Sequence, residues 1–280
     1  MVKKIFFTST KNKSFIQKIY NFAPVIKMLK LSNKDTLVIF DVDDVLIRPG
    51  SDDDFKHPCR TLLWQEIKRR STPNKIEFLH SSILSATKQY LTDPQIIDIF
   101  NYLKSQNIPT VALTAMGTGN FGIIEKMEDI RVNELNDLGI SFLPLTPIRD
   151  ELLVPELENT HIVFPYCKGT PMLKYGIIFT AGVDKRVVLE YMFNKYNYYP
   201  KNIIFVDDCI KNLESLETLN TKLNLNFYGF HYAAASLTKF PNIDENLERL
   251  RFKFLEQESC WLSYEKLMNK RYIRHNYRCL

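Results

Sequence analysis

Three short apolar runs punctuate the chain, at residues 36–40, 109–113 and 202–206, and each ends in a polar residue: Asp41, Thr114 and Asp207. Rich in Val, Ile and Phe, these runs predict strands of a parallel sheet covered on both faces. The intervening segments carry helical periodicity. Residues 93–104 start with Asp93 as N-cap and Pro94 at the first helical position, and place Ile96, Ile97, Phe100 and Leu103 on one face. Residues 123–138 read as a helix closed by Gly139, and residues 183–196 as another before Pro200. A last strand is expected at 226–230 and a helix at 243–256. Alternation of this kind predicts an α/β fold with a central parallel sheet. Ligands of such sheets gather at the carboxyl ends of the strands, where Asp41, Thr114 and Asp207 fall.

Two segments interrupt the alternation. Residues 48–91 hold helix-forming stretches at 62–70 and 76–90 and are expected to form a small helical cap. Residues 141–180 are proline-rich, with Pro144, Pro147, Pro155, Pro165 and Pro171, and their runs at 162–164 and 175–179 resemble a β-hairpin. The expected organisation is a catalytic core of residues 1–47 and 92–280, a helical cap at 48–91, and a hairpin-containing insertion at 141–180. Either insertion can roof the strand ends.

At 280 residues and 45% hydrophobic content, the chain suffices for one sizeable core with insertions. The formal charge of +5 suits anionic small molecules but falls short of a dedicated nucleic-acid binder. The five cysteines, Cys59, Cys167, Cys209, Cys260 and Cys279, lack CxxC spacing, and their odd number favours a reduced compartment. The apolar run at 5–7 ends in Thr8-Ser9-Thr10-Lys11, too short for a signal sequence, and no stretch approaches the roughly 20 apolar residues of a membrane-spanning helix. The expectation is a cytoplasmic protein, with export by another route left open.

The chemistry concentrates in two acidic pairs. Asp41 and Asp43 stand two residues apart beyond a buried strand, and in extended geometry they share one side. Such close carboxylates repel, unless a divalent cation sits between them or one is protonated. In phosphoryl transfer one can attack phosphorus while the other moves protons; an acidic turn with capping aspartates is the plainer alternative. Asp207 and Asp208 repeat the design, and oxygen ligands of this kind suit magnesium. Asn212 and Glu214 follow, either as supporting partners or as a solvated helix face. Thr114 and the amides of residues 115–119 can cradle a phosphate or simply form a strand-end turn. Lys185 opens a helix against the macrodipole preference, so its charge is wanted elsewhere.

Asp41-Val42-Asp43-Asp44-Val45, Thr114 after its strand, Lys185 and Asp207-Asp208 resemble, in order, the four motifs of the haloacid dehalogenase-like superfamily. The resemblance spans residues 36–215 and extends, through Ile177 to Thr180 and the run from Asp207 to Leu213, to an uncharacterised bacterial group of that superfamily. It implies a Rossmann-like three-layer sandwich and a Mg2+-dependent phosphomonoesterase. Asp41 would form an aspartyl-phosphate and ligate Mg2+. Asp43 would serve as general acid and base and lend its backbone carbonyl to the metal. Thr114 and Lys185 would bind the phosphoryl group, and Asp207 and Asp208 would hold the metal. Val45 stands where Thr is frequent in the superfamily.

The partner implied is a small phosphorylated substrate. Two competing readings are a phosphotransferase using the same residues and a non-catalytic binding or effector protein built on the same scaffold. Cys209 reads as a small packed side chain, and His231 with Tyr232 as mainly structural. The five histidines show no HxxxH spacing, which disfavours zinc chemistry. The basic run at 270–278 reads as a solvated or frayed end.

Overall fold

The computed structural model describes residues 12–237 and 240–269. The apolar run at 5–7 and the basic run at 270–278 lie outside the described residues. The elements in chain order are β1 (Ser14–Ile19), α1 (Ala23–Leu29), β2 (Thr36–Phe40), β3 (Ile47–Pro49), α2 (Pro58–Arg70), α3 (Pro73–Ala86), β4 (Gln89–Leu91), α4 (Gln95–Ser105) and β5 (Thr110–Thr114). There follow α5 (Met127–Asp137), β6 (Leu152–Leu153), β7 (Met172–Lys174), β8 (Ile177–Phe179), α6 (Lys185–Tyr196), β9 (Asn202–Asp207), α7 (Ile210–Glu217), α8 (Leu219–Lys222), β10 (Asn226–Tyr232) and α9 (Glu245–Glu258).

The large sheet runs β1-β10-β9-β2-β5-β8-β7-β6, parallel from β1 through β8 and antiparallel at the β7 and β6 edge. Every residue of β2 and β5 is buried, as the uniform apolar runs require. Strand pleating sends Val38 and Phe40 to one face, against Ile96, Ile99, Phe100 and Leu103 of α4. Leu37 and Ile39 point the other way, against Val188, Met192 and Phe193 of α6 and Leu213 of α7. The result is a three-layer, Rossmann-type α/β sandwich.

Several elements differ from the sequence expectations. The hairpin joins β7 to β8, not 162–164 to 175–179, and turns at Tyr175 (φ 50°) and Gly176 (φ 80°). Two successive left-handed residues define a type I′ turn, whose twist matches that of the strands. Residues 162 and 163 are exposed, and Ile162 makes only an isolated bridge to Val183. β8 also pairs with β5, so the proline-rich segment contributes a strand to the central sheet. α5 begins at Met127 rather than 123, because the Met127 amide donates to Gly119 O (3.0 Å) and a Phe121–Ile124 bridge holds the chain in a loop. The half-exposed edge strand β1 has no counterpart among the expected strands.

Residues 48–91 leave the sheet through the antiparallel pair β3 and β4 and form α2 and α3. α9 packs on these two helices, with Phe252, Leu255 and Trp261 meeting Leu63, Ile67, Leu79 and Ile83. Inside this contact, Arg60 Nε donates to Glu248 Oε1 at 2.7 Å, with both side chains 0% exposed. Tyr264 hydrogen-bonds the same Glu248 oxygen, and Arg251 stacks over Trp261 at 3.7 Å while pairing with Asp53. α3 is tied to the loop after β5, where the Ile123 amide donates to Ser81 Oγ (3.0 Å) and the Gly122 amide to Glu77 Oε1 (3.2 Å). Gly122, at φ +58°, permits this approach, since a Cβ there would lie 2.1 Å from Ser81 Oγ. Among the described residues, no helix is long and apolar enough to cross a membrane.

A buried ion pair is strongly destabilising to break, because the abandoned charge has no solvent. Arg60→Met is therefore expected to lower stability by about 3–5 kcal/mol in urea unfolding followed by circular dichroism. An unchanged midpoint would refute the clamp between α9 and the inserted helices.

Candidate active site

The carboxyl ends of β9, β2 and β5 lie side by side, and each delivers one polar side chain. Asp41 immediately follows β2, Thr114 closes β5 and Asp207 closes β9. Asp41 is 7% exposed, Thr114 1% and Asp207 0%. Lys185, the first residue of α6, inserts its ammonium among them, with Nζ 2.9 Å from Asp41 Oδ1 and 2.7 Å from Asp207 Oδ2. The cost of a cation at a helix N-terminus is thus offset by two anionic partners. Asp184 caps the same helix through the Arg186 and Val187 amides.

Local hydrogen bonds fix the carboxylates. Asp41 Oδ1 accepts from the Val42 amide at 2.7 Å. Asp207 Oδ1 accepts from the Cys209 amide (2.7 Å), and both Asp207 oxygens accept from Asn212 Nδ2 (3.0 and 3.1 Å). Asn212 therefore supports the acidic pair directly, whereas Glu214 is exposed. His231 Nε2 lies 3.0 Å from the Asp208 carbonyl oxygen, a structural contact. Thr114 Oγ1 accepts from the Met116 amide at 3.2 Å. Of the amides read as a phosphate cradle, Met116, Thr118 and Gly119 are engaged within the protein, with Thr114, Lys168 and Glu128.

Asp41, Asp207 and Asp208 each offer an oxygen, all within 4.8 Å of one another. The Asp43 side chain stands apart from this group. It is 53% exposed, and its Oδ1 accepts from Arg131 Nη2 at 2.7 Å. Arg131 is 6% exposed and also lies 3.2 Å from Glu134 and 3.3 Å from Met116 Sδ. The sequence reading missed this arginine. A signal existed, because Arg131 sits between Met127 and Leu135 at four-residue spacing, on the stripe that α5 turns to the core.

Charge in the site is unbalanced. Burial pushes the Asp41 carboxyl well above the usual range, Lys185 draws it back, and Asp207, Asp208 and Asp43 push it up again. The Asp208 carboxyl is pushed up to about 6 by burial and then by Asp207. Burial works against the charge on Lys185, but Asp207 and Asp41 outweigh it and raise its pKa. A divalent cation among the three carboxylates would relieve this repulsion, and the all-oxygen donor set fits Mg2+.

The profile of the family described as "Protein of unknown function (DUF2608)" matches residues 18–268. The chain belongs to that family. Uncharacterized proteins of two Rickettsia species are similar to this DUF2608 member. That of Rickettsia bellii (strain RML369-C) is 24% identical over 210 residues, covering 71% of this chain and 68% of its own. That of Rickettsia prowazekii (strain Madrid E) is 23% identical, covering 71% and 70%. Similar solved structures include a haloacid dehalogenase-like family hydrolase from Streptococcus pneumoniae, at 16% identity and TM-score 0.36, covering 72% of this chain and 89% of that one. Another is a HAD-superfamily hydrolase from Geobacter sulfurreducens PCA, at 11% identity and TM-score 0.36, covering 71% and 90%.

If the three carboxylates hold a cation, Mg2+ is expected to raise the thermal unfolding midpoint of the full chain. Asp208→Asn, which leaves both Lys185 ion pairs in place, is expected to weaken Mg2+ at least about tenfold by calorimetry. Equal affinity in both proteins would remove Asp208 from the ligand set.

Proposed function

We propose that this DUF2608 protein is a Mg2+-dependent phosphomonoester hydrolase that acts through an aspartyl-phosphate on Asp41. The observation that carries the reading is the Lys185 ammonium held between Asp41 and Asp207 at 2.9 and 2.7 Å, on the ends of neighbouring parallel strands. A non-catalytic scaffold has no evident use for so costly an arrangement of charge.

Two donors fix Asp41 Oδ1, and the second carboxylate oxygen attacks phosphorus. The Asp41–phosphorus bond forms as the bond to the leaving oxygen breaks, and Asp43 gives that oxygen a proton. Water then attacks phosphorus, Asp43 takes its proton, and inorganic phosphate leaves with Asp41 restored. Thr114 and Lys185 bind phosphoryl oxygens, and Lys185 also offsets the charge of the nucleophile. Asp41, Asp207 and Asp208, with the Asp43 backbone carbonyl, would hold Mg2+, which when bound draws negative charge from the phosphoryl group. Arg131 keeps the exposed Asp43 side chain turned toward the pocket it shares with Asp41. The 48–91 segment acts as the cap, braced by α9, over a small phosphorylated substrate.

Turnover of para-nitrophenyl phosphate with Mg2+ provides the assay. Asp41→Asn is expected to lose about a thousandfold or more in kcat. Arg131→Met is expected to lose about tenfold to a hundredfold in kcat, partly restored in Arg131→Lys, with Mg2+ affinity unchanged. Equal turnover by wild type and Asp41→Asn would end the proposal.

A further inference from the structure

The cavity over Asp41 has a volume of about 500 Å3, within the ~300–1,000 Å3 common for small-molecule sites. Its lining combines two chemistries. Asp41, Asp43, Lys185 and Arg131 are the groups suited to a phosphoryl centre. The same cavity is lined by His80, Leu84, Phe121, Met127, Phe164 and Tyr166.

Three polar side chains of the lining are engaged within the protein. Asn120 Nδ2 donates to the Ile124 carbonyl (3.2 Å), Thr118 Oγ1 donates to the Thr170 carbonyl (2.7 Å), and Lys168 pairs with Glu77 (2.8 Å). Against the carbon surface of Leu84, Phe121, Met127 and Phe164, a polyhydroxylated leaving group would give up hydrogen bonds to water. The rings offer the opposite welcome. His80 and Phe121 meet edge to face at 5.4 Å, as do Phe164 and Tyr166 at 6.0 Å, and rings lining a cavity favour a further ring in it. Burial, with Lys68 adding to it, lowers the pKa of His80, which favours its neutral ring.

The wall is also built in advance. Phe164 is anchored by its amide to the Gly182 carbonyl (3.1 Å), and Lys168 accepts from the Thr118 amide through its own carbonyl (2.9 Å). Ser81 and Glu77 of α3 hold the amides of Ile123 and Gly122, next to Phe121 in the chain. Binding therefore spends little on ordering these segments.

We propose that the leaving group of the substrate is an aromatic ring, so that the enzyme takes aryl and arylmethyl phosphomonoesters in preference to sugar and polyol phosphates. This rests on the phosphohydrolase reading above and deepens it. Hydrolysis proceeds by the steps already given: the ring's oxygen departs with the proton from Asp43, and water supplies the oxygen of inorganic phosphate.

Benzyl phosphate and glycerol phosphate test the ring itself, because both release a primary alcohol of similar basicity. With the full chain and Mg2+, kcat/KM for benzyl phosphate is expected to exceed that for glycerol phosphate and glucose phosphate by about tenfold to a hundredfold. The advantage should lie mainly in KM. Phe121→Leu and Phe164→Leu keep apolar volume but remove a ring, and each is expected to cut the benzyl-to-glycerol ratio severalfold. Equal or better use of glucose phosphate would overturn the proposal, as would a ratio that neither substitution moves. Calorimetry with benzylphosphonate and hydroxyethylphosphonate separates this from the parent reading. Tighter benzylphosphonate binding without turnover of any ester would sink the hydrolase and keep the aromatic site; equal binding of the two would sink the site.

Discussion

Three carboxylates and one ammonium, crowded at the ends of two neighbouring strands, set the terms for the rest of this protein. Asp41 and Asp207 share Lys185 at 2.9 and 2.7 Å, and Asp208 joins them within 4.8 Å. Burial first, and then the neighbouring carboxylates, push the Asp41 and Asp208 carboxyls up, and one ammonium does not offset this. The sandwich exists around this point in a mechanical sense. α6 must deliver Lys185 from its first residue, and Asn212 must bond both oxygens of Asp207. β2, β5 and β9 must be buried on both faces to hold their tips in register.

A second charged cluster, remote in sequence, shapes what lies above the strands. Arg60 and Glu248 are 188 residues apart, yet they form a fully buried pair that joins α2 to α9. Through this pair and the ion pair of Arg251 with Asp53, α9 braces the inserted segment. α3 in turn reaches the loop after β5 through Ser81 and Glu77. The inserted helices are therefore tied both to α9 and to the loop that follows β5.

The strand-end acids were legible because a strand buried on both faces leaves an uninterrupted apolar run, and the first polar residue after it marks the tip. Thr114 and Lys185 were legible for related reasons, as a strand end and as a cation at an unfavourable helix start. The hairpin was misread because the β-branched residues Ile162 and Val163 suggest a strand, while pairing is decided by the left-handed turn at Tyr175 and Gly176. Arg131 escaped notice because its role depends on the face of α5 that meets Asp43, 88 residues away. The partnership of α9 with the inserted helices is likewise a long-range contact that local periodicity does not encode. The aromatic wall draws Phe121 from a loop, His80 from α3 and Phe164 from the proline-rich segment, and only tertiary packing assembles them.

A hard cation among Asp41, Asp207 and Asp208 would complete the charge balance at the strand ends. Anomalous diffraction from crystals of the full chain soaked in Mn2+ measures this directly. The expected result is a strong peak bonded to oxygens of all three carboxylates, with Lys185 still bridging Asp41 and Asp207. Full Mn2+ exposure with no peak there, or a peak only at surface carboxylates elsewhere, would contradict it.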